Sequence, residues 1–272
     1  LLPREFLNKA DKPLQVKIGN PISAKRITQV GDDAQVMEFL KTRTDLLRTR
    51  PDRKPIRRRF IMAKSSGRKE TVIPPVSAEL MADEVAKLPE ECVLVESGDY
   101  NVIVAAFNDI PLVMREIGRL REVTFRAIGE GTGKSIDIDR FDPHYDHLFI
   151  WNKAKKEVVG AYRAGKTDVL LKKFGPSGLY TSTLFKLKPS FLAQINPAFE
   201  VGRSFVRKEY QRSYSSLLLL WKGLARMVLR NPSHHILFGP VSITNEYKSV
   251  SRQLIARFFE AQKEKEDLAK LV

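Results

Sequence analysis

Between residues 92 and 164 the chain spells two pairs of short apolar runs, and the turns within each pair are too tight to hold a crossover helix. Cys92–Val95 and Tyr100–Ala106 are joined through Ser97-Gly98-Asp99. His147–Trp151 and Glu157–Ala164 flank Asn152-Lys153. Strands joined so closely must run antiparallel, because a parallel pair needs a connection of a dozen residues or more. A doubly wound parallel sheet is therefore excluded. Further strand-like runs follow at 177–187, 199–206 and His235–Ile243. Helical spacing marks 78–88, 111–128 (Leu112, Ile117, Leu120, Val123 and Phe125 apolar), a helix capped by Ser213 or Ser215 and ending near Leu229, and Tyr247 to Lys265 opened by Asn245. The expected fold class is α/β (α+β): a mixed, mostly antiparallel central sheet flanked by helices, with a small N-terminal extension.

The front of the chain reads differently. Residues 14–22 alternate like a strand, and 32–47 read as a helix with Val36, Phe39, Leu40, Leu46 and Leu47 on one side. Arg48 to Lys69 then holds ten basic residues and one acidic, with Pro51, Pro55 and Gly67, which is a linker signal. The expected division is 1–50, a basic linker at 51–74, and a main domain at 75–272. Residues 1–72 carry 18 basic and 8 acidic side chains, net +10, while 73–272 carry 29 and 24, net +5. Such a field favours an anionic bilayer, an acidic protein or nucleic acid. No zinc finger, helix-turn-helix or RNP signature accompanies it, so nucleic acid is not an expected partner.

Cys92 is the only cysteine in 272 residues, which rules out a disulfide framework; beside Glu91 and Glu96 it reads as a buried structural thiol. No stretch reaches the roughly 18 apolar residues of a membrane span. Leu217 to Trp221 comes nearest, runs into Lys222 and Arg226, and reads as a buried helix. The chain starts on Leu1 without a signal peptide and is expected to be a piece of a longer protein.

Chemistry is concentrated in four places. In Phe199–Val206, Glu200 and Arg203 lie in an apolar strand, where charges must be paired or used. A bulge would bring these two residues onto one face, and Gly202 sits where a bulge is easy. Its freed N–H groups, around Val201, Gly202 and Ser204, could bind a thioester carbonyl; a structural ion pair is the equal alternative. Next, Lys208, Arg212, Ser213 and Ser215 surround a helix start, which suits the phosphate of a pantetheine arm or is simply a capped helix. Third, Asp137, Asp139, Asp142 and Asp146 gather with His144 and His147, but the spacing does not fit the calcium loop and no metal is assigned. This cluster could bind a cationic amine or merely build turns. Last, Arg163 ends a strand beside it.

Five segments in order carry a resemblance: Asp-x-Asp-x-Phe-Asp-x-x-Tyr-Asp-His-Leu at 137–148, Val-Val-Gly-x-Tyr-Arg at 158–163, Phe-Glu-Val-Gly-Arg-Ser-Phe-Val at 199–206, Leu-Leu-Trp-Lys-Gly-Leu at 219–224, and Leu-Phe-Gly-Pro-Val-Ser-Ile at 237–243. Together, over about 95–260, they resemble the hemolysin-like, ornithine-lipid N-acyltransferase branch of the GNAT fold, which is related to acyl-homoserine-lactone synthases. Val16 to Ile22 resembles the closing strand of a lysophospholipid acyltransferase domain, whose HxxxxD motif is absent here.

The resemblance implies transfer of a fatty acyl group from a carrier thioester, lying where two strands splay apart, to the amine of an amino acid. No bound cofactor is implied. The implied donor is acyl carrier protein, with acyl-coenzyme A as the alternative, because the common Gln/Arg-x-x-Gly-x-Gly/Ala loop is replaced by Gln211 to Ser216 without glycine. Glu200 would take the amine proton. Arg203 and Arg163 would orient the acidic turn or bind a carboxylate, Asp137, Asp139 and Asp142 would position the acceptor, and Tyr247 would protonate the leaving thiolate. Implied partners are acyl carrier protein, the amine acceptor and an anionic membrane surface, with a cytoplasmic location. An autoinducer synthase and a non-catalytic lipid-binding module stay open as alternatives.

Overall fold

The computed structural model describes residues 21–48, 69–211, 214–242, 247 and 249–261. The chain divides into two compact units: Leu1–Met62 with Asn245–Gln262, and Ala63–Thr244 with Lys263–Val272. In the first unit the described helices are α1 (Ala24–Thr28), α2 (Asp33–Arg48) and α8 (Ser249–Ala261). Helix α2 starts with a reciprocal cap: Gln35 N donates to Asp32 Oδ1 (2.9 Å) and Asp32 N to Gln35 Oε1 (3.3 Å). The expected strand over 14–22 lies almost wholly outside the described residues, as does the basic run up to residue 68.

The second unit is built on one six-stranded sheet, in spatial order β1 (Val93–Ser97), β2 (Tyr100–Ala106), β3 (Asp146–Asn152), β4 (Glu157–Lys166), β5 (Ala198–Val206), β6 (Ile236–Phe238). Every neighbouring pair is antiparallel except β5 and β6. Both expected hairpins are present. One face packs on α4 (Pro111–Ala127), where Val113, Met114, Ile117 and Leu120 meet Ile103, Phe149, Ala161 and Phe205. The other packs on α7 (Tyr214–Arg230), where Leu219, Leu220, Leu224 and Met227 meet Val102, Leu148, Ile150 and Phe199. The unit thus has three layers, helix on sheet on helix.

Helix α4 shows how its neighbours fix it. It has no cap of its own, and Pro111 opens it. Its first free N–H groups are taken by Glu84 of α3 (Ala78–Val85): Leu112 N and Val113 N donate to the two carboxylate oxygens at 2.9 and 2.8 Å. Halfway along, Gly118 lets the chain cross: a Cβ there would lie 2.7 Å from Ile138 and 2.8 Å from Ile136. Asp137 N donates to Gly118 O across this contact, which fixes where the acidic segment begins. Part of the expected linker also belongs to this unit, since Glu70 N donates to Gly133 O and Ser135 N to Glu70 Oε2.

Three expectations fail. The 177–187 segment is not a strand but two 3-10 turns, Gly175–Gly178 and Tyr180–Thr183. They lie between two short helices that periodicity did not show, α5 (Thr167–Phe174) and α6 (Pro189–Ile195). Helix α4 buries Ile117 and Leu120 of its apolar stripe but also Arg121 and Glu122, and it exposes Val123. Leu217, Leu218 and Trp221 of α7 are half exposed, so that helix is not buried. Among the described residues, no helix is long and apolar enough to cross a membrane.

Candidate active site

Glu200 sits near the start of β5, on the face turned to α4, opposite Gly165 of β4. It is 2% exposed. Its Oε1 accepts from Thr181 N (2.6 Å), and its Oε2 from Tyr180 N (3.0 Å) and from the Tyr145 hydroxyl. A carboxylate has four lone-pair positions, so the three donors among the described residues leave one on Oε1. The Tyr145 ring fits because Gly165 has no side chain: a Cβ there would lie 2.5 Å from the ring. Burial and the Glu200 charge push the Tyr145 phenol well above its ordinary range, so it stays protonated and donates.

The bulge is present. Arg163 pairs with Gly202 and Ala161 with Phe205, so Arg203 and Ser204 together oppose Tyr162. The left-handed residue is Arg203 itself (φ +50°), not Gly202. That conformation costs a side-chain-bearing residue roughly 1–2 kcal/mol. The guanidinium of Arg203 stacks on the Tyr180 ring at 4.9 Å, beside the turn that holds Glu200, and bridges Asp137 (3.5 Å) and Asp139 (3.2 Å). Gly202 has open space where a side chain would be.

Around this strand runs a buried ion network. Asp142 accepts from Arg121 (2.7 Å) and Arg163 (3.1 Å), and Arg163 also donates to Asp139 (2.6 Å). Asp139 N donates to Asp142 Oδ2 at 2.7 Å. Burial alone would raise the Asp142 pKa, but the two arginines overcome it and hold it at about 2. Burial is the larger influence at Asp137, whose pKa rises despite Arg203 and Arg121. His147 Nε2 donates to the main-chain carbonyl of Asp142 (2.9 Å), and Nδ1 faces Arg121 across 3.5 Å. Burial first, then Arg121, pushes it down to about 4, so the ring is neutral at pH 7. A neutral ring with Nε2 against a carbonyl carries its proton on Nε2 and turns Nδ1 to Arg121.

The outer edge of β5 opens early. Its parallel pairing with β6 covers only Ala198–Glu200 against Ile236–Phe238, while β5 runs on to Val206. Beyond its C-terminal end lies a cavity of about 670 Å³ between that end and α4, lined by Leu120, Val123, Phe125 and Ile128 with Ser204, Arg207 and Lys208.

Residues 120–222, from α4 through α7, match the acetyltransferase (GNAT) domain family. This chain carries a GNAT domain. The whole ion network, the bulged strand and Glu200 fall within it. Over 200 residues, 70% of the chain, it is 36% identical to a glycine N(alpha)-acyltransferase of Bacteroides thetaiotaomicron, spanning 59% of that protein. A glycine N(alpha)-acyltransferase of Phocaeicola vulgatus is 34% identical over 70% of the chain and 61% of its own length. An L-ornithine N(alpha)-acyltransferase of Rhodobacter capsulatus is 34% identical over 47% of the chain and 52% of its own length. The chain thus spans little more than half the length of these curated relatives.

Within the GNAT domain, Glu200, Arg203, Asp137, Asp139 and Arg163 come together as one connected group. Asp142 joins them, but as a fully buried anchor: its oxygens hold Arg121, Arg163 and Asp139 N, and it has no surface to offer an acceptor. Ser204 and Lys208 share the cavity. Val201 packs on the α7 face, with its carbonyl against Gly239. Ser215 lies in the first turn of α7. Arg212 and Ser213 lie outside the described residues. Tyr247 belongs to the other compact unit, where it is exposed. Cys92 is half buried, and burial followed by Glu91 raises its pKa. From the sequence, Tyr145, Tyr180, Thr181 and Arg121 carry no role, and His147 enters only as a member of the acidic cluster. Tyr145 and His147 were visible within the 137–148 motif. Arg121 looked like one more cation on a helix.

Proposed function

We propose that the chain is an N-acyltransferase that moves a fatty acyl group from an acyl carrier protein thioester to the amine of an amino acid, glycine or ornithine, in aminolipid synthesis. The observation that carries this reading is Glu200 held beside the bulge of β5, with one lone pair unclaimed, in a domain similar to glycine and ornithine N-acyltransferases. The thioester would lie along the unpaired edge of β5 beyond Glu200, where a bulge leaves N–H groups free to meet the oxygen that becomes negative.

The amine nitrogen attacks the thioester carbon, the C–S bond breaks, and an amide and a free thiol result. Glu200 takes the proton from the attacking nitrogen through the free position on Oε1 or through a water. Tyr145 and the two turn N–H groups fix the carboxylate in place. Arg203, reaching out from the network, is the cation best placed for the acceptor's carboxylate, and Asp139 the anion for its ammonium. Lys208, which lines the cavity, suits an acidic carrier, while Arg207 is ion-paired to Glu157 and Glu209.

Mass spectrometry of lipids from cells expressing the chain tests this, beside a Glu200→Ala control. A new acylated amino acid that disappears in the control supports the reading and names the acceptor. An acylated amino acid that persists undiminished in the control would assign Glu200 to holding the Tyr180 turn alone.

A further inference from the structure

Helix α7 is apolar on two faces. Leu219, Leu220, Leu224 and Met227 pack on the sheet. Turned away from it are Leu217, Leu218, Trp221 and Leu229, exposed by 50, 55, 53 and 70%. A helix that is apolar all round is ordinarily buried or membrane-bound. Lys222 and Arg226 are exposed between these side chains. The helix, Tyr-Ser-Ser-Leu-Leu-Leu-Leu-Trp-Lys-Gly-Leu-Ala-Arg-Met-Val-Leu-Arg, contains no acidic residue. From Leu217 to Leu229 the stripe runs about 18 Å at 1.5 Å per residue.

We propose that the outward face of α7 is an interfacial lipid-binding surface, lying in the headgroup region of an anionic bilayer with Leu217, Leu218, Trp221 and Leu229 inserted and Lys222 and Arg226 on phosphates. This is the pattern of a helix that lies on a membrane: large apolar side chains on the buried side, an aromatic ring at the boundary, cations beside it and no anion. An acidic carrier protein is recognised chiefly by charge. Here the large apolar side chains outnumber the two cations among them, which favours lipid. The surface also has a place in the architecture. Helix α7 lies between this face and the sheet, and Glu200 points to the opposite, α4 side, so a bilayer held there leaves the Glu200 side of the sheet uncovered.

The chain contains two tryptophans. Trp151 is buried at 4% exposure. An emission change on adding vesicles therefore reports Trp221. Vesicles of phosphatidylglycerol and phosphatidylcholine are added to the full chain, and emission and flotation are followed together. Flotation alone does not decide, because a chain of net charge +15 is drawn to anionic vesicles by other residues too.

The expected result is a blue shift with the anionic vesicles. Trp221→Phe abolishes the shift. Leu218→Ser with Leu229→Ser, at exposed positions that leave the fold intact by circular dichroism, abolishes the shift with Trp221 in place. Lys222→Gln with Arg226→Gln weakens partitioning roughly 30-fold, since each cation near an anionic surface is worth about a factor of five. Glu200→Gln leaves the shift unchanged, which keeps this surface separate from the proposed acyl transfer. A chain that floats without any shift, or one whose Trp221 emission responds to acyl carrier protein and not to vesicles, overturns the proposal and gives the face to a protein partner.

Discussion

Glu200 is a buried carboxylate whose donors are one phenol and two main-chain N–H groups. Replacing it by Gln keeps the size but turns an N–H group toward donors. We expect Glu200→Gln to lower acyl transfer about 100-fold or more, the scale of a lost general base. Tyr145→Phe removes the phenol and is expected to cost about 1–2 kcal/mol of stability in urea melts, with a fall in rate smaller than that of Glu200→Gln. Asp142 makes the opposite forecast. Asp142→Ala strands the buried Arg121 guanidinium, leaves Arg163 to Asp139 alone, and is expected to destabilise by roughly 3–5 kcal/mol, so that loss of activity follows loss of fold. The residue types of the site were legible, because a Glu and an Arg within an apolar strand must be paired or used. The division of labour was not. Asp142 looked like one of several turn carboxylates, and only the arrival of Arg121 from a distant helix makes it an anchor.

At the scale of elements, the sheet was readable wherever strands met through tight turns, because both partners and the turn lie close together in sequence. The 177–187 segment was misread for a physical reason. Leu179 and Thr181 are buried with the half-buried Tyr180 between them, yet the N–H groups of Tyr180 and Thr181 donate to Glu200 and not to a neighbouring strand. The bulge of β5 was foreseen at Gly202; that the left-handed residue is Arg203 was not, because the network that holds its guanidinium is long-range. The packing of β4 against the 145–180 region gives a sharp test. Gly165→Ala places a methyl where the Tyr145 ring and Leu170 now lie. It is expected to cost about 1–3 kcal/mol and to slow transfer by moving the phenol off Glu200, as read by the melt and the rate of the same preparation.

The whole molecule should be sensitive to acid in two stages. His147 is held neutral with its pKa lowered from 6.5 to about 4. In the unfolded chain it takes a proton as pH falls below 6.5, and the folded chain follows only near 4. Stability therefore declines through that window, by roughly 3 kcal/mol at about 1.4 kcal/mol per pH unit. Asp142, lowered to about 2 from 3.8, contributes stability fully above 3.8 and loses it as pH falls toward 2. Urea melts from pH 7 to 3 should show the first decline, and His147→Gln should flatten it. These losses belong to the GNAT domain, where helix, sheet and helix close over the charged network. The proposed reaction is transfer of an acyl group by this domain to an amino-acid amine with Glu200 as the base. Its most direct test is the rate at which the purified chain moves a labelled acyl group from acyl carrier protein to glycine or ornithine, measured with Glu200 and with Gln in its place. Transfer by the first is expected, with a loss of about 100-fold or more in the second, both proteins being folded. Equal rates from two folded proteins would contradict it.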